Sequence, residues 1–350
     1  MTCSVVILNW NGANVMREFL PSVVEHTTLP DTEVVVVDNG STDESVAYLQ
    51  SLMDTPQAKA AHLRIIPFDK NYGFAEGYNR AIRTMDSEIV VLLNSDVMVT
   101  PHWLEPVLEY MHSHPEVAAA QPKMLAYKSW QAHEQDPNKP VTFEHAGAAG
   151  GYIDRLGYPF CRGRMISFVA EDKGQYDDVA RCFWVSGAAF FVRTKVYNEV
   201  GGLDAKFFAH MEEIDLCWRL NSRGYELACV PQSKVYHLGG GALAYDNPRK
   251  TYLNFRNNLL MLYKNLPQPH LHRVLFVRFF LDYIAAFQSL VTLKPAHFDA
   301  IIRARIDYLR MKRNYTQSRQ ENLNLATCAY PQTIARRFVI FDYYVLRKRE

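Results

Sequence analysis

Cys3-Ser4-Val5-Val6-Ile7-Leu8, running into Asn9-Trp10-Asn11-Gly12, and Glu33-Val34-Val35-Val36-Val37, running into Asp38-Asn39-Gly40-Ser41-Thr42-Asp43, are short, β-branched and almost wholly apolar before they turn polar. That is the pattern of parallel strands covered on both faces. His62–Ile66 and Glu88–Leu93 repeat it. Between them Glu44–Met53 and Phe74–Met85 read as helices, and Pro101 stands where proline opens a third. Strand–helix alternation with right-handed crossovers predicts an α/β fold: a doubly wound, mostly parallel sheet with helices on both faces.

Ligands of open α/β sheets bind outside the carboxyl ends of the strands. Here those ends carry Asn9 to Gly12, Asp38 to Asp43 and Asn94-Ser95-Asp96. Each segment alone also reads as a turn or helix cap; the three together converge polar groups on one edge. No G-x-G-x-x-G follows the first strand and no phosphate-binding G-x-x-x-x-G-K-[ST] occurs, so a phosphate needs another holder. A divalent ion on Asp96 supplies one.

Residues 126 to 180 lack steady periodicity and read as loops around short strands; Trp184–Val192 restores a buried strand. Glu212, Glu213 and Asp215 then open a helix stopped by Gly224. Acids at a helix entry suit the macrodipole, which is the plain structural reading, but the aromatic run before them argues against a merely solvated face.

Seven segments in order, VVILNWNG, VVVVDNGSTDES, NYGFAEGYNRAI, LLNSDVMV, WVSGAAFFV, GGLDAKFFAHMEEIDLCWRLNSRGY and VYHLGGGAL, resemble glycosyltransferase family 2, in particular its rhamnosyltransferase-like branch. The resemblance covers about residues 3–265 and implies a GT-A fold and inverting sugar transfer from a nucleotide-diphosphate donor to a glycan or lipid-linked acceptor hydroxyl. It implies that Asp38 contacts the base, that Asn9, Asn71 and Asn79 lie at the donor, that Asp96 binds Mn²⁺ or Mg²⁺ and that His237 completes the metal site. Glu213 matches the general base, with Glu212 and Asp215 beside it and Trp184 and His210 at the acceptor; Arg256 matches a basic segment near the phosphates. His237 has a structural reading too, as a lone histidine at a strand end. Two departures matter: Asn94 replaces the first acid of D-x-D, and Glu212-Glu213 replaces the E-D pair. A catalytically weak member binding nucleotide sugar or glycan as a scaffold is the alternative. A sugar-nucleotide pyrophosphorylase would need a glycine-rich G-x-G-[ST]-R loop after the first strand, which Asn9-Trp10-Asn11-Gly12 is not.

The 350 residues hold 38 Lys and Arg against 37 Asp and Glu, and this near-neutral balance hides a division. Residues 1–240 carry 20 basic against 30 acidic groups, residues 241–350 carry 18 against 7. The division predicts a catalytic domain over 1–240, with a donor half to about 125 and an acceptor half from 126, followed by a basic, aromatic helical extension over 241–350. Leu271–Leu293 is apolar but contains Arg273, Arg278 and Asp282, which favours lying on an anionic membrane surface over crossing it; packing on the core or in a homodimer is the other reading. No nucleic-acid reader motif is present, and the acidic half would repel a phosphate backbone. Met1-Thr2-Cys3 leads straight into a strand rather than a leader, so the expected location is cytoplasmic, peripheral on the inner face of the membrane. The six scattered cysteines fit reduced thiols.

Overall fold

The computed structural model describes residues 1–239 and 246–349. The Gly239-Gly240-Gly241 exit from the catalytic part, with most of the GGGAL segment, therefore lies largely outside the described residues.

One half of the main sheet is parallel: β1 (Cys3–Asn9), β2 (Thr32–Asp38), β3 (Arg64–Pro67) and β4 (Ile89–Leu93) lie in the order β3-β2-β1-β4. They are joined through α1 (Ala13–His26), α2 (Ser45–Leu52), α3 (Pro56–Ala60) and α4 (Phe74–Ile82). Alternate residues of β1 serve opposite layers: Val5 and Ile7 share a core with Met16 and Leu20 of α1, and Val6 shares one with Tyr78 of α4. That two-sided burial is why the strand reads as continuously apolar.

The other half is mixed. The chain passes here through β5 (Val97–Val99), α5 (Glu105–Ser113), β6 (Val117–Ala126), α6 (Tyr127–Gln135), the short strands β7 (Gly151–Asp154), β8 (Pro159–Cys161), β9 (Arg164–Met165) and β10 (Phe168–Val169), then β11 (Ala180–Arg181), β12 (Ala189–Arg193), α7 (Thr194–Glu199), α8 (Glu212–Ser222) and β13 (Glu226–His237), of which β5, β6, β11, β12 and β13 belong to the main sheet. Strand β12 runs antiparallel to both β4 and β6, and β13 runs parallel to β6. The chain closes with α9 (Pro248–Asn265), α10 (His270–Val291), α11 (Pro295–Met311), α12 (Thr316–Asn324), β14 (Ile334–Ala335) and α13 (Val339–Tyr344). Strands β7 to β10 with β14 form a second, small sheet, so the aperiodic 126–180 stretch is more ordered than its sequence suggests.

Two expectations need correction. Trp184–Val192 is a strand only from Ala189, because Ser186 N–H donates to Gln121 Oε1 (2.8 Å) and Ala188 N–H to Ser186 Oγ (3.2 Å); those donors are spent on side chains and leave the ladder. Pro101 opens no helix: the left-handed backbone of His102 (φ 59°) intervenes, and α5 starts at Glu105 with Pro106 in its first turn. The extension shares the main core, since Leu259, Leu260 and Leu262 of α9 cluster with Trp218 of α8 and Phe190 of β12.

Candidate active site

Parallel register brings Asn9 and Asp38 side by side at the ends of β1 and β2. Asn9 Nδ2 donates to Asp38 Oδ1 (3.3 Å) and Ser41 Oγ (3.2 Å), while Ser41 N–H donates to Asp38 Oδ2 (3.1 Å). Asn39 Nδ2 donates to Asn71 Oδ1 (3.0 Å), which draws the end of β3 into the same edge. Asn9 Oδ1 is buried with no hydrogen-bond partner among the described residues, and a Cβ at Gly12 would stand 2.5 Å from it. The edge thus offers a lined, polar recess at the position where open sheets take ligands.

Asp96 and His237 lie 141 residues apart and meet because β5 pairs antiparallel with β13, His237 opposite Val97. His237 Nε2 is 3.1 Å from Asp96 Oδ1, and its Nδ1 is 3.4 Å from Glu144 Oε1. Glu144 arrives through the bridge between Phe143 and Leu125 of β6. Burial works against a charged ring, but Glu144 and Asp96 outweigh it and hold the imidazolium's pKa at about 10. For a metal the spacing fits once the ring gives up its Nε2 proton: a nitrogen and an oxygen 3.1 Å apart could then both bind one ion at about 2.1 Å. Glu144 stands on the other ring nitrogen, the usual place of a group that fixes a ligand histidine. Among the described residues no group of three or more His, Cys, Asp or Glu side chains is placed to hold an ion, so Asp96 and His237 would be two ligands of a shell that phosphate oxygens and water would have to complete.

The turn before α8 is strained: Phe208, His210 and Met211 all have positive φ (70°, 68° and 72°). It is held by Asn257 Nδ2, which donates to the carbonyls of Phe207 (3.0 Å), Ala209 (2.9 Å) and His210 (2.8 Å), and by Arg256 Nη2 on Phe207 O (3.0 Å). The clamp presents His210, Glu212 and Glu213 together. Glu212 Oε2, Glu213 Oε2 and His210 Nε2 are all buried without a hydrogen-bond partner among the described residues. Burial, then repulsion from Glu213, pushes Glu212 well above the ordinary carboxylate range, and burial raises Glu213 to about 7. Burial and the charge of Lys250 lower His210 to about 4, leaving it neutral. One carboxyl keeps its proton while its neighbour titrates near neutrality, the separation seen when a pair divides acid and base duties.

Four expected site residues do not join these groups. Asp215 is wholly buried on the other side of α8, where Lys264 (2.8 Å), Arg219 (3.1 Å) and Asn265 (2.8 Å) hold it ionised. Trp184 is buried against Gly151, its indole N–H donating to Tyr152 O (2.8 Å). Asn79 is spent on Leu203 and the Tyr197 hydroxyl (2.7 Å), locking the turn at Gly202. Arg256 is the clamp just described, its Nε also donating to Asn257 Oδ1 (2.9 Å). Three residues were missed. Glu144 sits in the aperiodic stretch, and Gly187 packs beside Glu213, where an added Cβ would make ordinary contact with the glutamate's Cβ at 3.6 Å. Lys250 acts electrostatically on Glu144 and His210, and its only sequence signal was the basic start of α9.

Comparison with known proteins gives this arrangement its class. Residues 4–168 match the model of glycosyl transferase family 2. The mannosyltransferase of Pyrobaculum calidifontis, solved with GDP-Man and Mn²⁺, superimposes with a TM-score of 0.54 at 14% identity over 92% of this chain and 85% of that one. Residues 4–168 thus carry the match to glycosyltransferase family 2, and the chain has the GT-A fold. An N-acetylglucosaminyl-diphospho-decaprenol L-rhamnosyltransferase of Mycobacterium tuberculosis is 25% identical over 67% of this chain and 75% of its own length. The O-antigen biosynthesis protein RfbC of Myxococcus xanthus is also 25% identical over 67% of this chain, but the match spans only 17% of that larger protein.

Proposed function

We propose that this protein is an inverting glycosyltransferase that moves a sugar, L-rhamnose or another hexose, from a nucleotide-diphosphate donor to a hydroxyl of a lipid-linked glycan in cell-surface polysaccharide synthesis, at the cytoplasmic face of the membrane. The single observation that carries this reading is the Glu212–Glu213 pair, with orphaned oxygens, and Glu213 titrating at about 7. The family match and the lipid-linked substrate named for the mycobacterial relative support it.

The nucleoside lies against Asn9, Asp38 and Asn71 at the strand ends, with the diphosphate directed toward Asp96 and His237. A divalent ion held by those two residues, when bound, neutralises the leaving diphosphate. Glu213 accepts the acceptor hydroxyl's proton as the new bond to the anomeric carbon forms. The bond from that carbon to the diphosphate oxygen breaks, and its electron pair leaves with the nucleotide. Displacement from the face opposite the departing diphosphate inverts the anomeric centre. Glu212, protonated, donates a hydrogen bond without competing for that proton. The residues that carry this chemistry lie within 1–240, while Asn257 and Arg256 of the extension at 241–350 hold the turn that presents Glu213.

The test is transfer from a labelled donor to a synthetic lipid-linked acceptor, with the anomeric configuration read by NMR. Inverted product from the wild type, and a loss of about 10²–10⁴ in rate for Glu213→Gln with nucleotide binding retained, is the expected result. Unchanged transfer by Glu213→Gln removes the assignment. Nucleotide binding without any transfer by the wild type, on any acceptor, supports the scaffold alternative, for which Asn94 speaks.

A further inference from the structure

Helix α10 is built the wrong way round for water. Its charged pair faces inward: Arg278 and Asp282 are 2% and 0% exposed and bonded to one another (3.1 Å), with Arg278 also donating to Leu156 O (3.0 Å) and Asn258 Oδ1 (2.5 Å) and Asp282 accepting from Arg305 (2.6 Å). Its outward stripe is apolar: Phe276, Phe280, Ile284, Phe287 and Val291, spaced by three or four residues, are 53–67% exposed. A helix bordering water carries the opposite arrangement, and a continuous exposed apolar face of this kind marks a docking surface.

By length and composition α10 could cross a bilayer. Its inward bonds to Leu156, Asn258 and Arg305 instead hold it along the protein, which leaves it to lie in a membrane surface with its aromatic side down.

The rim identifies the occupant. On one flank a groove of about 910 Å³ is lined by Arg155, Arg273 and Arg336 together with Val277 and Phe338. On the other flank Arg305 lies over the Phe279 ring (5.2 Å), and Arg310 of α11, with Arg313 just past the helix end, lies beside Ile306 and Leu309. Residues 270–349 hold 14 Lys and Arg against 5 Asp and Glu. Two copies meeting through this face would bring like charge to like charge, whereas an anionic bilayer complements it. We infer that the apolar stripe of α10, framed by these arginines, seats the protein on a membrane rich in anionic lipid.

The same surface reaches the candidate site. Just beyond the carboxyl end of α10, Lys294 pairs with Asp246 (2.7 Å) and His297 hydrogen-bonds Thr251 (2.8 Å). Between Asp246 and Thr251 in the chain lies Lys250, the lysine that acts on His210 and Glu144. A lipid-linked acceptor would therefore enter beside its own bilayer, a consequence that rests on the transfer reading, while the docking itself does not.

Vesicle flotation of the full chain tests it, comparing phosphatidylcholine alone with vesicles containing roughly 30 mol% phosphatidylglycerol. The wild type is expected to float with the anionic vesicles and to be released by high salt. Phe280→Ser/Phe287→Ser, exposed positions where the melting temperature should hold, is expected to lower binding by at least about tenfold. Nucleotide binding by calorimetry on the same variant should be unchanged, which separates docking from the transfer reading. No flotation of the wild type, equal flotation of the variant, or a soluble dimer that the substitutions dissociate overturns the inference.

Discussion

Two carboxyl groups in consecutive positions of one helical turn, both removed from water, do not ionise together. Glu212 keeps its proton and Glu213 takes the titration to about 7. The rate of transfer under kcat/KM conditions is accordingly expected to rise with pH and level off above about 7, and a pH–rate profile checks it. Stability should run the other way. The folded protein holds this proton up to about 7, against 4.5 for an ordinary glutamate, so the cost of the buried charge is absent at low pH and complete above 7. Glu213→Gln is expected to melt roughly 2–4 °C above the wild type at pH 8 and level with it at pH 4. Glu144 has a different task, holding His237 from behind. Glu144→Gln should weaken Mn²⁺ binding by about 10–100-fold in calorimetry while leaving metal-free nucleotide binding unchanged.

At the scale of elements, strand ends were legible and side-chain allegiance was not. The apolar runs ending at Asn9 and Asp38 lie in register as read, because a strand buried on both faces has a plain composition. Asp96 and His237 also meet as the family resemblance implied. Asn79 and Arg256 show the limit: an amide or guanidinium is equally suited to a ligand or to a carbonyl, and only tertiary packing, here the turns at Leu203 and Phe207, decides. Glu144 was invisible because its stretch has no periodicity and its place depends on a single bridge to β6. Likewise Arg278 and Asp282 were recognised as a helical pair, but that they face inward is decided by Leu156 and Asn258, more than a hundred and twenty residues away or on another helix respectively. Asp282→Ala would strand Arg278 and Arg305 and is expected to cost about 3–5 kcal/mol, read by chemical denaturation.

Across the whole molecule, an acidic sheet-bearing part is followed by a basic helical part, 20 basic against 30 acidic residues over 1–240 and 18 against 7 over 241–350. The sheet edge gathers Asn9, Asp38 and Asn71, β5 and β13 bring Asp96 to His237, and the strained turn before α8 delivers Glu213. These groups come from segments spread over more than two hundred residues, and the proposed function places a nucleotide diphosphate between the sheet edge and the carboxylates. Calorimetry with UDP, dTDP and GDP, each with Mn²⁺ and with EDTA, on the wild type and Asp96→Ala, tests that claim most directly. One nucleotide should bind the wild type in the presence of Mn²⁺ and lose at least about tenfold in affinity both with EDTA and in Asp96→Ala. Binding of none of the three, or binding indifferent to metal and to Asp96, would contradict it.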